Sequence, residues 1–171
     1  MASVSPDWYS PDSRWPALGF ATREAYAASM VLAADFHAGV PVDIVEAYDT
    51  AAHLMALAWY HYPFYDEAIR KLTGMVEMGV KLRCQHLGIA TTVGVTTARP
   101  RPLAELIEVL CRAPEAAALK VQLHRARSLR NSQAHPEHQS FGGIAMSVAV
   151  VPLMQLLNDL FAYQPADCSP R

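Results

Sequence analysis

Apolar positions recur along most of the chain at a spacing of three or four residues. In "VDIVEAYDTAAHLMALAWY", Ile44, Tyr48, Ala51, Met55 and Ala58 fall on one stripe, the pattern of a helix with one buried face. Pro41 suits the first turn and Asp43 the positive end of the helix dipole. Pro63 closes the pattern, which predicts a helix over about 42–60. The next run predicts a longer helix over about 64–87, with Tyr65, Ile69, Leu72, Val76 and Val80 on one face. Glu67–Lys71 and Glu77–Lys81 are candidate i,i+4 ion pairs on its other faces.

The remaining runs extend this picture. Alanine-rich residues 21–39 read as an earlier helix, with Gly39 as the residue that ends it. "LAELIEVLCRA" reads as a short helix, and Pro114 opens a longer one from Glu115 to about Asn131, with Leu119, Leu123 and Ala126 as its apolar stripe. A last helix over about 140–161 contains Pro152, which is expected to kink or divide it. Between the helices, "GIATTVGVTTARPRP" is rich in poor helix formers and reads as a long loop, with a short β-hairpin as the alternative. The fold class expected is all-α: a single-domain antiparallel helical bundle of five or six helices. An extended arm over 1–20 precedes the bundle at 21–162, and a flexible tail follows at 163–171. Trp8 and Trp15 of the arm are expected to pack onto the body, because such large rings are costly to leave in water.

Composition narrows the function classes. The chain has 171 residues, 52% apolar and 18% charged, which suits a folded domain with a sizeable core. Its formal charge of −2 argues against a general duplex-binding protein, though not against a local basic patch. Cys84, Cys111 and Cys168 are odd in number and scattered, so they form neither a disulfide framework nor a CxxC metal pair. That usage points to a reducing, cytoplasmic setting. The first twenty residues lack a signal-peptide core, and the run "GGIAMSVAVVPLMQLL" falls short of the ~18 apolar residues of a spanning helix, so no membrane association is expected.

Candidate chemistry gathers late in the chain. Lys120, His124, Arg127 and Asn131 form one polar line on the helix opened by Pro114, with Arg130 flanking it. The line reads either as an anion-binding face or as a solvated face whose basic residues offset the helix dipole. It leads into "LRNSQAHPEH", Leu129 to His138. His135 precedes Pro136, which disfavours the α conformation there, so the helix is expected to end or bend by His135. A bend would allow Arg130 and His135, five residues apart, to point toward one spot. The alternative is that Arg130 and Asn131 only close a helix end. His135 and His138 could contribute to a zinc site, but two more ligands would be needed and no cysteine lies close in sequence; no metal is expected.

"LRNSQAH" resembles the signature of the HEPN superfamily, an arginine followed by asparagine or another polar residue and, four to six residues on, a histidine. Arg130, Asn131 and His135 match it with a four-residue gap, and the later "LLNDLF" is similar to the final-helix ending of bacterial members. The helix "HYPFYDEAIRKLTGMVEMGVKLR" is similar to the glutamate-bearing helix that packs near the motif in such proteins. The resemblance covers about residues 40–162. It implies an all-α bundle and, in many members, metal-independent RNA cleavage by a homodimer with two motifs facing one cleft. Other members are non-catalytic RNA binders or partners of antitoxin-like proteins. No cofactor is expected. On this reading His135 does acid–base work, Arg130 stabilises phosphate charge and Asn131 orients Arg130 or bonds a phosphate oxygen. Lys120, His124 and Arg127 would contact substrate phosphates, and Glu77 would either hold Arg130 or pair only with Lys81.

Overall fold

A computed structural model describes residues 7–94, 98–133 and 147–165. The described residues form α1 (Arg14–Ala17), α2 (Arg23–Met30), α3 (Val42–Leu57), α4 (Pro63–His86), β1 (Thr92–Val93), β2 (Arg99–Pro100), α5 (Leu103–Leu110), α6 (Ala117–Gln133) and α7 (Val150–Ala162). A 3-10 turn, Pro114–Ala116, leads into α6. The all-α bundle expected from periodicity is observed. Among the described residues it has seven helices rather than five or six, and the additional one is the single turn α1.

α4 is the axis of the bundle and packs against α3, α5, α6 and α7. Its 24 residues reach about 36 Å, and Pro63 sits in its first turn, where a missing N–H costs nothing. Tyr65, Ile69, Leu72, Val76 and Val80 are all buried, as are Ile44, Tyr48, Ala51, Met55 and Ala58 on α3. Both stripes therefore meet one core. Gly79 gives α7 its close approach to α4: a Cβ there would stand 2.9 Å from Leu157 Cδ2. Glu77 pairs with Lys81 at 2.6 Å as spacing predicts, whereas Glu67 pairs with Arg70 at 2.5 Å.

Residues 12–20 are not an extended arm. Trp15, on α1, is fully buried, donates its indole N–H to Ala58 C=O at 2.7 Å and stacks among Phe20, Tyr26 and Tyr62. Trp8 does not pack; it is 75% exposed. The segment is fastened by Asp12. Its carboxylate accepts from Arg14 Nε and Nη2 at 2.8 and 2.9 Å and from the Tyr62 backbone N–H at 2.9 Å. Its own backbone N–H donates to Trp59 C=O at 2.8 Å. Partial burial by itself would raise the Asp12 carboxyl. The Arg14 guanidinium and the Tyr62 and Arg14 backbone N–H groups outweigh it and bring the pKa down to about 2.

A group with a depressed folded-state pKa contributes stability above its unfolded value, about 4, and loses it as pH falls toward 2. Asp12→Asn should therefore lower stability by on the order of 2 kcal/mol at pH 6. The gap to wild type should close on approaching pH 2, as read from urea unfolding across pH. A gap independent of pH would refute the ionic role of Asp12.

The helix expected over 21–39 stops at Met30. Thr22 caps its start, its hydroxyl accepting from Ala25 N–H at 3.2 Å. The chain then runs extended from Val31. Core tyrosines bind carbonyls at this exit: Tyr65 Oη donates to Met30 C=O at 3.1 Å and Tyr48 Oη to Leu32 C=O at 2.6 Å. Further on, Asn158 of α7 donates to Asp35 C=O at 2.8 Å and accepts from His37 N–H at 3.2 Å. Helical propensity loses here to tertiary hydrogen bonds. Within 88–102, β1 and β2 pair antiparallel, with Thr92 opposite Pro100 and Val93 opposite Arg99. Of the helix expected over about 140–161, the described α-helical part, α7, starts at Val150, so Pro152 is its third residue and has no intrahelical N–H partner to lose; residues 140–146 lie outside the described residues. Tyr163, placed at the start of a flexible tail by sequence, is half-buried and its carbonyl accepts from Arg83 Nη2. No helix among the described residues is long and apolar enough to cross a membrane.

Candidate functional site

α6 packs Leu123 and Ala126 onto the core, with Leu119 partly buried beside them, which turns the basic line toward the surface between α4 and α5. The line does not act as one unit. Lys120 Nζ lies 2.5 Å from Glu108 Oε2, and His124 Nε2 lies 2.9 Å from Glu108 Oε1. The Lys120 ammonium and then the His124 ring hold the Glu108 carboxyl below the usual range. These two side chains are thus paired with an acidic residue of α5, with which a substrate phosphate would have to compete. Periodicity could not reveal this, because Glu108 belongs to another helix. Arg127 is half-buried, and its Nε is enclosed without a hydrogen-bond partner among the described residues.

Arg130 occupies the last turn of α6. Its Nη2 lies 2.8 Å from Glu77 Oε2, while Glu77 Oε1 accepts from Lys81 Nζ at 2.6 Å. Its Nη1 donates to Oδ1 of the adjacent Asn131 at 3.3 Å. Glu77 therefore has both partners considered for it, one on its own helix and one on α6. The Arg130 side chain keeps 44% exposure and Glu77 20%. At such exposure an ion pair contributes only about 0–1 kcal/mol, so its main effect is to aim the guanidinium. Among the described residues the guanidinium meets Glu77 as an ion pair and Asn131 through a hydrogen bond.

His135, Pro136 and His138 lie outside the described residues, so the convergence of Arg130 with His135 is not part of the observed geometry. The structure brings a different residue of the motif inward. Gln133 is 5% exposed, and its amide meets the hydroxyl of Thr73, itself 2% exposed, at 2.9 Å. Sequence reasoning passed over both residues because they are polar. The signal was present, since Gln133 stands seven residues beyond Ala126 and shares its face of α6.

Other chemistry is limited. Burial pushes the thiols of Cys84 and Cys111 up to about 11, so neither is a nucleophile at neutral pH. Among the described residues no group of three or more His, Cys, Asp or Glu side chains is placed to share a metal ion. A cleft of about 220 Å³ between α6 and α7 is lined by Arg125, Leu129, Pro152, Leu153 and Leu156 among others, and none of the candidate site residues that are described borders it. No family model matches the chain, and no curated protein or solved structure matches it.

Proposed function

We propose that the chain is a HEPN-like, metal-independent endoribonuclease that works as a homodimer, in a setting such as a bacterial toxin or defence system. The observation that carries this reading is Arg130. It ends the basic helix α6, is aimed by Glu77 of the central helix, and keeps a solvent-facing side. A guanidinium held this way suits the charge that develops on phosphorus, because its fork fits phosphate oxygens and it never loses its proton. In the reaction the ribose 2′-oxygen attacks the adjacent phosphorus and the bond to the 5′-oxygen breaks. The products are a 2′,3′-cyclic phosphate and a 5′-hydroxyl end. His135 removes the 2′-hydroxyl proton or protonates the leaving oxygen, and the partner's copy of the motif supplies the other proton step. Asn131 steadies Arg130 through the contact at 3.3 Å.

RNA cleavage that persists in EDTA and fails in Arg130→Ala and His135→Ala is the test. Glu77→Gln is expected to lower turnover by about tenfold, since misaiming a positioned group slows the chemistry. The same change should move stability by no more than about 1 kcal/mol, because the pair is partly exposed. Comparing cleavage rates with urea midpoints separates the two effects; unchanged turnover would remove Glu77 from the site.

A second reading, a non-catalytic module that binds RNA, a nucleotide or a protein partner such as an antitoxin, is favoured by one observation. Glu108 balances Lys120 and His124 while Glu77 balances Arg130, so the net −2 chain presents a weak field to RNA. Salt-dependent RNA binding without cleavage would select it.

A further inference from the structure

The Thr73–Gln133 contact has an unusual economy. Both side chains are buried, and each belongs to one of the two helices that carry the candidate site. The Thr73 hydroxyl has one proton but faces two acceptors, Arg70 C=O at 3.0 Å and Gln133 Oε1 at 2.9 Å. Either the hydroxyl donates to Gln133, leaving Nε2 enclosed without a partner, or the amide turns so that Nε2–H donates to Thr73 Oγ1 while the hydroxyl donates to Arg70 C=O. In both orientations Thr73 is the sole hydrogen-bond partner of the amide among the described residues, which satisfy only one end of it. An apolar side chain of similar size would fill this position at equal or lower cost. The pair is therefore not explained as a source of stability. A directional bond does what apolar packing cannot: it fixes one rotation and one height of the last turn of α6 against α4.

We infer that Thr73 and Gln133 are a positioning pair for Arg130, an inference that rests on the ribonuclease reading above. Arg130 is three residues before Gln133, in the same turn, and Glu77 is four residues after Thr73, one turn along α4. The Thr73–Gln133 hydrogen bond and the Glu77–Arg130 ion pair thus run between the same two helices about one turn apart. Two rungs between two helices define a register, whereas the exposed ion pair alone constrains the last turn weakly. The buried rung holds the backbone of 130–133, and the exposed rung aims the guanidinium.

The test uses the full chain with Thr73→Val and Gln133→Met, both close in volume to the residues replaced, and Thr73→Ser as the conservative variant that keeps the hydroxyl. Expected is a fall in kcat of about tenfold or more in Thr73→Val and Gln133→Met, with KM for RNA little changed and a melting temperature at or above wild type for Gln133→Met. Thr73→Ser should retain most of the turnover. Amide exchange across 129–133 should quicken in Thr73→Val while that of mid-α4 stays put. A purely structural pair would instead lower the melting temperature and leave the kcat of the folded fraction at its wild-type value, and that outcome overturns the inference. If the wild-type protein cleaves no RNA, the ribonuclease reading fails on its own, and exchange still judges the clamp: unchanged protection of 129–133 in Thr73→Val overturns it.

Discussion

Arg130→Ala is expected to reduce RNA cleavage by about 10²–10³-fold while leaving the fold intact. The magnitude is that of removing one preorganised donor from a developing charge. Arg130 is 44% exposed and ends its helix, so its removal opens no core cavity. Arg130→Lys should restore little, because a lysine offers a point charge in place of a planar fork. His135→Ala should cost about 10²–10⁴-fold, the range of a general acid or base. The double variant should fall well short of the product of the two losses, since groups acting on one phosphate are not additive. Single-turnover cleavage of a labelled RNA, in the presence of EDTA and with 2′,3′-cyclic phosphate ends identified, measures all of these. Intact RNA after incubation with partner-free wild-type protein would sink the ribonuclease reading and leave the binding module.

Trp15→Ala carries the largest expected effect on stability. The ring is fully buried against Tyr26 at 4.5 Å and Tyr62 at 4.9 Å, and its N–H satisfies Ala58 C=O. Truncating a buried tryptophan costs about 3–5 kcal/mol, out of a total that rarely exceeds about 15. At this chain length that corresponds to a melting temperature lower by roughly 6–20 °C. Trp8→Ala, on the 75% exposed ring seven residues earlier, should stay within about 0.5 kcal/mol. Calorimetry on the two variants decides whether residues 12–20 belong to the cooperative unit. Equal melting temperatures would mean that they do not.

The helices with a clean apolar stripe were legible. α3 and α4 were expected within three residues of their observed ends, and every stripe residue assigned to them is buried. Where the stripe was weak, the reading was less accurate. Residues 21–39 are rich in alanine and read as helix throughout, yet the chain leaves the helix after Met30. Tyr48, Tyr65 and Asn158, distant in sequence, bind its backbone in the extended form. Trp15 and Trp8 lie in equally polar surroundings, and only the pocket formed by Phe20, Tyr26 and Tyr62 distinguishes them.

At the candidate site the division is the same. The sequence carried the resemblance by itself: Arg130, Asn131 and His135 at their spacing, the basic line before them, and Pro136 after. Periodicity is a local property, set by the 3.6-residue turn, so it established the helices, their buried faces and the all-α class from the sequence alone. The tertiary structure decided which charges are engaged. Glu108 holds Lys120 and His124, Glu77 joins Lys81 to Arg130, and Thr73 meets Gln133. Except for Glu77–Lys81, each of these contacts joins side chains on different helices. Hydrogen bonds and ion pairs act over about 3 Å, and only the packing of α4, α5 and α6 brings residues 12 to 60 positions apart within that distance.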